Sequence, residues 1–512
     1  MKINYTITYL KIYFWQMISI FLGLASMFIV IPFLTENKTT YGVYSIVISL
    51  NIFYTYANVG FLNAGQKYAA EYFAMGDLEN EIRTISFASF IYLLFISIIS
   101  LIIVVFAINP QYLITGIDGE NLIIARKLLG ILAFSSPIVV IQRTIQVVFA
   151  VRIKDYVYQQ FSIFGSLVKI LSVFYFFGSG QGNIVLYFLF IQITNLGVVL
   201  ISILYMHLKI EFSLNLFIKH FKFSTIPYNH IKKLAFTSFV LTLSWVAYYE
   251  SDLIVIGKLF GAEDVAVYSL ALSILALFRT FFGILYTPFT SRFNHFKGNN
   301  DIEGLKSFFM HVVKLTFPIV VIPILVVSIL SKSFILSWVG TQYFASIEVV
   351  STLILCNMLA FISYPAGILF NTLERIQILF ISALLIPIVY WIGIIVTCDH
   401  LGLMSFAIFK IVSFVIGASF YFIYALKELN IKAHQFLKSV ILPYILPMII
   451  AVLLALIAKD IAPSVYSKKS LIYNIVIIGL ITVIGLSLSL LTSKYLRKYM
   501  YTAMKLVLNV KR

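Results

Sequence analysis

Four basic residues lie well inside apolar stretches of the chain, away from their ends: Arg143, Lys169, Arg279 and Lys410. A charge at the centre of a membrane span costs about 2.5–3.5 kcal/mol, whereas each Leu, Ile, Phe or Val returns about 0.3–0.6 kcal/mol. Such side chains must therefore face protein or a water-filled cavity. Arg and Lys in a cavity could hold a diphosphate or an acidic sugar, Arg through paired hydrogen bonds.

Amide side chains accompany one of these cations and also occur in a separate apolar stretch. Gln142 and Gln146 share a helical face with Ser135, beside Arg143, and Gln192 and Asn195 are one helical turn apart. These amides are suited to hydrogen-bonding sugar hydroxyls. The alternative, which stays open for all four cations, is that each pairs with a carboxylate or extends to a membrane interface.

Glu250 and Asp252 are acidic residues in the outer part of another apolar stretch. A carboxylate there could carry protons or bind Na⁺, and Asp252 is the better candidate for ion coupling. The alternative is that the sequence from Asp252 to Gly261 simply ends a helix.

Composition excludes a soluble protein. Of 512 residues, 61% are hydrophobic and 11% are charged, against about 25% charged in soluble domains. The net charge of +17 comes from residues between apolar runs, so we expect membrane topology and no nucleic-acid partner. Cys356 and Cys398 are the two cysteines, too few for a disulfide framework or a cysteine metal cluster.

Fourteen apolar runs are long enough to cross a bilayer as helices. They span residues 12–34, 42–63, 85–107, 128–150, 158–177, 183–207, 234–257, 265–289, 311–334, 346–371, 376–397, 402–425, 437–458 and 470–492. With the N-terminus inside, 24 Lys and Arg residues fall in inner segments and 6 in outer ones. This bias predicts that both termini are cytoplasmic. The high Ile, Phe, Lys and Asn content is typical of an AT-rich bacterial genome, so we expect a multi-pass protein of a bacterial inner (cytoplasmic) membrane.

An internal repeat relates Gly42–Ser49 to Ala266–Ser273, which are identical at four of eight positions. A repeat of six helices predicts two pseudo-twofold lobes with a substrate site between them near the midplane. The predicted organisation comprises a six-helix lobe, a basic cytoplasmic linker, a second six-helix lobe, two additional helices and a basic cytoplasmic tail: 1–207, 208–233, 234–425, 426–492 and 493–512. We expect the tail, with Leu496, Met500 and Val507, to lie on the inner leaflet.

Several enzyme motifs are absent from the sequence. It has no G-x-x-x-x-G-K-[ST] motif for nucleotide hydrolysis, and its seven histidines form no metal-ligand pair. The glycine-rich segment Gly178–Gly182 is predicted to be a turn. We therefore expect no metal, no cofactor and no enzymatic activity.

The stretch Ser251–Ala271 resembles the junction between the seventh and eighth spans of bacterial polysaccharide flippases. It carries Asp252, an Ile256-Gly257 step, Gly261 and Tyr268. The first-half counterpart resembles the same family's N-terminal pattern, with Gly42-Val43-Tyr44-Ser45 followed by a segment from Gly65 to Glu71. The chain thus resembles a Wzx-type member of the multidrug/oligosaccharidyl-lipid/polysaccharide (MOP) exporter superfamily, across its whole length.

The resemblance implies an all-α transporter that works by alternating access. Its substrate would be an undecaprenyl-diphosphate-linked oligosaccharide moved to the outer leaflet, for O-antigen, capsule or exopolysaccharide synthesis, driven by an H⁺ or Na⁺ gradient. A polysaccharide polymerase or ligase could be a partner, and the protein is expected to function as a monomer. The first span has no Lys or Arg after Lys11, unlike the pattern expected of lipid II flippases.

Two other functions remain open at this point. A multidrug extruder of the same fold would be expected to have an acidic cavity for its cationic substrates. The excess of cations within the spans argues against this function. A membrane-embedded polymerase, ligase or acyltransferase would need a long outer loop or a His/Asp cluster, and the loops around 108–127 and 335–345 are short.

Overall fold

The computed structural model describes residues 5–58, 60–178, 182–210 and 212–498. Within these ranges it contains α-helices and short 3₁₀ turns and no strand. The first ten helices are α1 (Tyr5–Leu34), α2 (Lys38–Tyr56), α3 (Phe61–Ala74), α4 (Leu78–Ile108), α5 (Gly119–Val151), α6 (Asp155–Phe177), α7 (Ile184–Lys209), α8 (Leu214–His220), α9 (Thr225–Tyr249) and α10 (Asp252–Leu259).

The remaining helices follow the same pattern of long apolar segments and short connections. They are α11 (Ala262–Gly298), α12 (Ile302–Ile329), α13 (Ser331–Val339), α14 (Ser346–Leu353), α15 (Ala360–Thr372), α16 (Ile376–Leu401), α17 (Met404–Glu428), α18 (Ala433–Val440), α19 (Ile445–Ile461) and α20 (Lys468–Thr492). The 3₁₀ turns are Pro110–Tyr112, Thr341–Tyr343, Ile354–Leu359 and Leu442–Tyr444.

Membrane-spanning segments agree with the sequence prediction. Among the described residues, twelve segments are long and apolar enough to cross a membrane, or up to fourteen if each of two bent helix pairs is one span. The bent pairs are α2 with α3, and Ser238–Tyr249 with α10. The predicted all-α, polytopic fold is therefore confirmed, and the second and seventh predicted spans correspond to broken helices.

The contacts divide the chain into two units, which we call the N-terminal unit (Met1–Ala266) and the C-terminal unit (Val267–Arg512). In the N-terminal unit, α4 packs against α5 and α3, and α6 packs against α1 and α7. In the C-terminal unit, α16 packs against α17, and α12, α19 and α20 pack together around a cluster that contains Ile322, Val326 and Ala455. The predicted lobe boundaries remain a prediction.

The sequence repeat has an offset of 224 residues, which relates Gly42 to Ala266. The same offset separates the start of α2 from that of α11, and the start of α4 from that of α12. Asp77 and Asp301 cap α4 and α12 by accepting hydrogen bonds from backbone N–H groups of Asn80 and Gly304. The residues before these caps, Gly76 and Asn300, both have positive φ, so the same turn precedes both helices.

Two predictions extend beyond the described residues. Positions 179–181 of the glycine-rich segment Gly178–Gly182 lie outside them. The predicted tail helix is described as far as residue 498, with Leu496 buried, and Met500 and Val507 lie outside.

Candidate functional site

Arg143 lies on α5, eight residues before the helix ends, and its guanidinium is held by neutral groups. Nη1 donates to Oε1 of Gln146 at 2.8 Å, one turn along the same helix. Nη2 donates to Oγ1 of Thr55 on α2 at 3.1 Å, and the Tyr92 side chain on α4 also interacts with the guanidinium. The contacts thus fix Arg143 between three helices of the N-terminal unit.

Gln142 and Gln146 join this cluster through Tyr158 of α6. Nε2 of Gln142 donates to the Tyr158 hydroxyl at 2.9 Å, and Gln146 also interacts with that hydroxyl. Ser135, the third member of the predicted stripe, instead donates to the backbone oxygen of Leu132 at 2.9 Å. The structure therefore brings both glutamines to Arg143 and leaves Ser135 bonded to its own helix.

Lys169, Asn195 and Gln192 form a second polar cluster, between α6 and α7. Nζ of Lys169 donates to Oδ1 of Asn195 at 2.5 Å. Nδ2 of Asn195 donates in turn to Oε1 of Gln192 at 3.2 Å. The ammonium group is thus bound by an amide dipole, and three of the sequence-predicted residues are in direct contact.

The two clusters share one face of α6. Tyr158 and Lys169 are eleven residues apart, which places them about 16 Å apart along the helix and within about 20° around it. Ser162 and Gly165 lie on the same face between them. A polar track thus extends over about half of the roughly 30 Å hydrocarbon thickness.

No carboxylate compensates these two cations within the described part of the chain. Every polar partner of Arg143 and Lys169 is an amide, hydroxyl or phenol, and neither cation is in an ion pair. In the structure, Arg143 and Lys169 therefore do not pair with Glu250 or Asp252. Arg143 and Lys169 are thus two cations surrounded by neutral groups, and their N–H groups can donate to a further hydrogen-bond acceptor.

Glu250 and Asp252 lie where the seventh span breaks. The axis bends by 42° between Ser238–Tyr249 and α10, and Asp252 is fully buried at the first position of α10. The backbone oxygen of Glu250 accepts from Oγ of Ser49 at 3.1 Å. In known transporters, broken helices of this kind supply groups for coupling ions.

Arg279 and Lys410 lie in the C-terminal unit, on α11 and α17. Lys410 is fully buried, and its ammonium lies 5.0 Å from the centre of the Tyr390 ring, so this lysine does not extend to an interface. Arg279 is half-buried and interacts electrostatically with Tyr364 of α15.

Sequence reasoning missed a buried cation of the N-terminal unit, Arg152, which it assigned to an inner loop. Nε and Nη2 of Arg152 each donate to a carboxylate oxygen of Glu81 at 3.0 Å, and Nη1 donates to the Ile210 backbone oxygen at 2.6 Å. Both side chains are buried, and the rings of Phe73 and Phe212 flank the guanidinium. No local pattern reveals a pair whose members are 71 residues apart.

No family model matches the chain, and no curated protein matches it. Solved structures do match. One is described as lipid II flippase MurJ in an inward closed conformation, with a TM-score of 0.70 and 14% identity over 95% of this chain and 99% of that chain.

Two other similar structures are transporters. An inward-facing multidrug resistance MATE family transporter of the MOP superfamily has a TM-score of 0.65 and 16% identity, over 80% of this chain and 94% of that chain. A MOP superfamily transporter from Pyrococcus furiosus, described as having a binding pocket of reverse polarity, has a TM-score of 0.56 and 16% identity, over 83% and 96%. The chain is therefore a multi-pass membrane protein with the fold found in the MurJ flippase and the MATE transporters of the MOP superfamily.

Proposed function

We propose that this protein is a Wzx-type transporter that moves an undecaprenyl-diphosphate-linked oligosaccharide from the cytoplasmic to the outer leaflet by alternating access. One observation carries the proposal: Arg143 and Lys169 lie in membrane-spanning helices and have only neutral partners among the described residues. A charge in a membrane-spanning helix without an opposite charge nearby is costly. A substrate that brings negative charge to these cations offsets that cost each time it binds.

A diphosphate suits the chemical type of these groups. Arg143 can bind phosphate oxygens through two N–H groups at once, whereas Lys169 acts as a point charge. Arg279 and Lys410 are proposed to do the same from the C-terminal unit. Four amide side chains already take part in these two clusters: Gln142, Gln146, Gln192 and Asn195. On substrate binding, they would replace their present hydrogen bonds with hydrogen bonds to sugar hydroxyls.

Asp252, with Glu250 beside it, is proposed to couple transport to an H⁺ or Na⁺ gradient. The support is the position of the carboxylate, fully buried at a break in a spanning helix. An Asp252→Asn protein should still bind substrate but should no longer respond to collapse of the proton or sodium gradient. Unchanged dependence on both gradients would contradict this assignment.

The function is tested on the polyprenyl-linked lipids of a strain that lacks the protein. Mass spectrometry should find a completed oligosaccharide-lipid that accumulates and is protected from an impermeant sugar-oxidising reagent. The intact protein should remove this accumulation, and Arg143→Ala should fail to do so, with export reduced about tenfold or more because a hydrogen bond to a charged group contributes about 1.5–3 kcal/mol.

Arg126→Ala is the matched control, since Arg126 is an exposed arginine on the same helix, and it should export normally. Arg279→Ala, normally inserted, should also block export. If no oligosaccharide-lipid accumulates and the strain instead becomes sensitive to cationic dyes, the protein is a multidrug extruder of the same fold. A polymerase or ligase partner would be sought after flipping is established.

A further inference from the structure

A cavity lies in the N-terminal unit, away from the Arg143 and Lys169 clusters. It has a volume of about 540 Å³, within the roughly 300–1,000 Å³ range of small-molecule sites. The C-terminal ends of α1 and α6 and the N-terminal ends of α2, α5 and α7 surround it. We propose that this cavity is a binding subsite for a neutral hexose or N-acetylhexosamine residue of the transported oligosaccharide, an inference that rests on the proposed function.

Three asparagines give the cavity hydrogen-bond donors with a fixed direction. Oδ1 of Asn37 and Oδ1 of Asn183 accept from the backbone N–H groups of Thr40 and Leu186, at 2.9 and 3.0 Å. Oδ1 of Asn121 accepts from Oγ1 of Thr40 at 3.0 Å. Each amide oxygen already accepts one hydrogen bond, and the NH₂ group of each asparagine makes none among the described residues, so that group can donate to a ligand.

Two carboxylates supply the matching acceptors. Glu36 and Glu120 line the cavity, and neither is in an ion pair within the described residues. A sugar hydroxyl both donates and accepts, so it needs NH₂ groups and carboxylates together. With Lys127 as the cation of the lining, the cavity carries one net negative charge, which disfavours a uronic acid or a diphosphate.

Aromatic and aliphatic side chains form the rest of the wall. Phe177 is fixed by an edge-to-face contact with Tyr187, at a centroid distance of 5.5 Å. A side chain at Gly182 would put its Cβ 2.4 Å from the Phe177 ring, so glycine is needed to leave that ring in place. Phe33 is similarly held by Phe174 at 5.5 Å. These rings offer apolar surface for the C–H faces of a sugar.

The position of the cavity suits a sugar that has crossed the membrane. The distribution of basic residues predicts that these helix ends lie outside. Phe177 ends α6 eight residues, or about 12 Å, beyond Lys169. The subsite thus lies past the end of the polar track that starts at Tyr158.

Binding to the purified full-length protein in lipid nanodiscs tests this inference by saturation-transfer NMR. The probes are methyl glycosides of glucose, galactose, mannose and N-acetylglucosamine, the oligosaccharide released by mild acid from the lipids of the deletion strain, and glucuronate as the acidic comparison. At least one neutral probe should bind, and glucuronate should not. Glu120→Gln combined with Asn121→Ala should weaken binding about tenfold or more, whereas Arg126→Ala, at an exposed residue of the same helix that does not line the cavity, should leave it unchanged.

Ile123→Trp provides a second variant that fills the cavity without removing a polar group, and it should also abolish binding. Absence of binding by every neutral probe, or equal binding by the wild type and both cavity variants, would overturn the inference. An accumulated oligosaccharide-lipid whose released glycan does not bind overturns the subsite and leaves the flippase intact. If no oligosaccharide-lipid accumulates, the proposed flippase function is wrong. Binding of the methyl glycosides then tests the subsite independently.

Discussion

Arg143 and Arg152 are nine residues apart near the same end of α5, and their surroundings are opposite. Arg152 makes two hydrogen bonds to the Glu81 carboxylate and one to a backbone oxygen, so its charge is compensated. Arg143 contacts an amide and a hydroxyl. A cation inside the protein is therefore structural where its counter-ion is part of the fold, and is available to a ligand where it is not.

The largest expected effect is the loss of the structural pair. Arg152→Ala should lower the free energy of unfolding by about 3–5 kcal/mol, because it leaves the Glu81 carboxylate buried without a partner. Thermal denaturation in detergent and the amount of protein in the membrane would measure this loss. A melting temperature equal to that of Arg126→Ala would show that the pair contributes nothing.

Replacing both members of this pair sharpens the same prediction. Under the offset of the sequence repeat, Glu81 corresponds to Leu305, which is buried, so an apolar side chain suits the equivalent place in the C-terminal unit. The double variant Glu81→Leu with Arg152→Met should therefore recover most of the stability that Arg152→Ala loses. Equal instability of both proteins would mean that the hydrogen bond to Ile210, rather than the charge pair, holds this region.

Lys169→Met should have the opposite signature. Export should fall about tenfold or more, because a cation of the proposed diphosphate site is gone. Stability should remain equal or rise, since a buried charge without an opposite charge is replaced by an apolar side chain of similar length. Export assays and melting temperatures on the same variant would measure both effects, and a fall in both would move Lys169 to the structural class of Arg152.

The smallest effect is expected for Gln146→Ala. Arg143 would keep its bond to Thr55, and the substrate would lose one hydrogen bond between neutral groups, an amide and a sugar hydroxyl, which contributes about 0.5–1.5 kcal/mol. Export should fall about two- to tenfold, with the melting temperature close to that of wild type. A loss as complete as that of Arg143→Ala would instead mean that Gln146 matters as much for substrate binding as the arginine.

Much of the fold could be predicted because hydrophobic length is a local property. The fourth predicted span was found although it contains Arg143, and α5 indeed covers it as one helix of 33 residues. The breaks in the second and seventh spans were not predicted. They depend on packing, such as the bonds from Thr115 to the backbone oxygens of Gly257 and Lys258 that hold α10.

The candidate site was predictable in its residue types and less so in its contacts. Arg143 with Gln146, and Gln192 with Asn195, follow from helical spacing. Thr55 and Tyr158 could not be found in this way, because hydroxyl side chains are common in membrane helices and carry no signal of their own. Their part is visible once α2 and α6 are placed beside α5.

Residue order along the chain is enough to predict a membrane protein of about fourteen spans, with cations inside several of them and a repeat between its two halves. These properties depend on apolar length, charge count and residue order along the chain. Three-dimensional contacts are needed to show that Arg152 has a counter-ion and Arg143 has none among the described residues, where two spans bend, and which helix ends surround a polar cavity. The physical reason is that the energy of a buried charge depends on the groups a few ångströms away, and for Arg152 the carboxylate that matters is 71 positions distant in the chain.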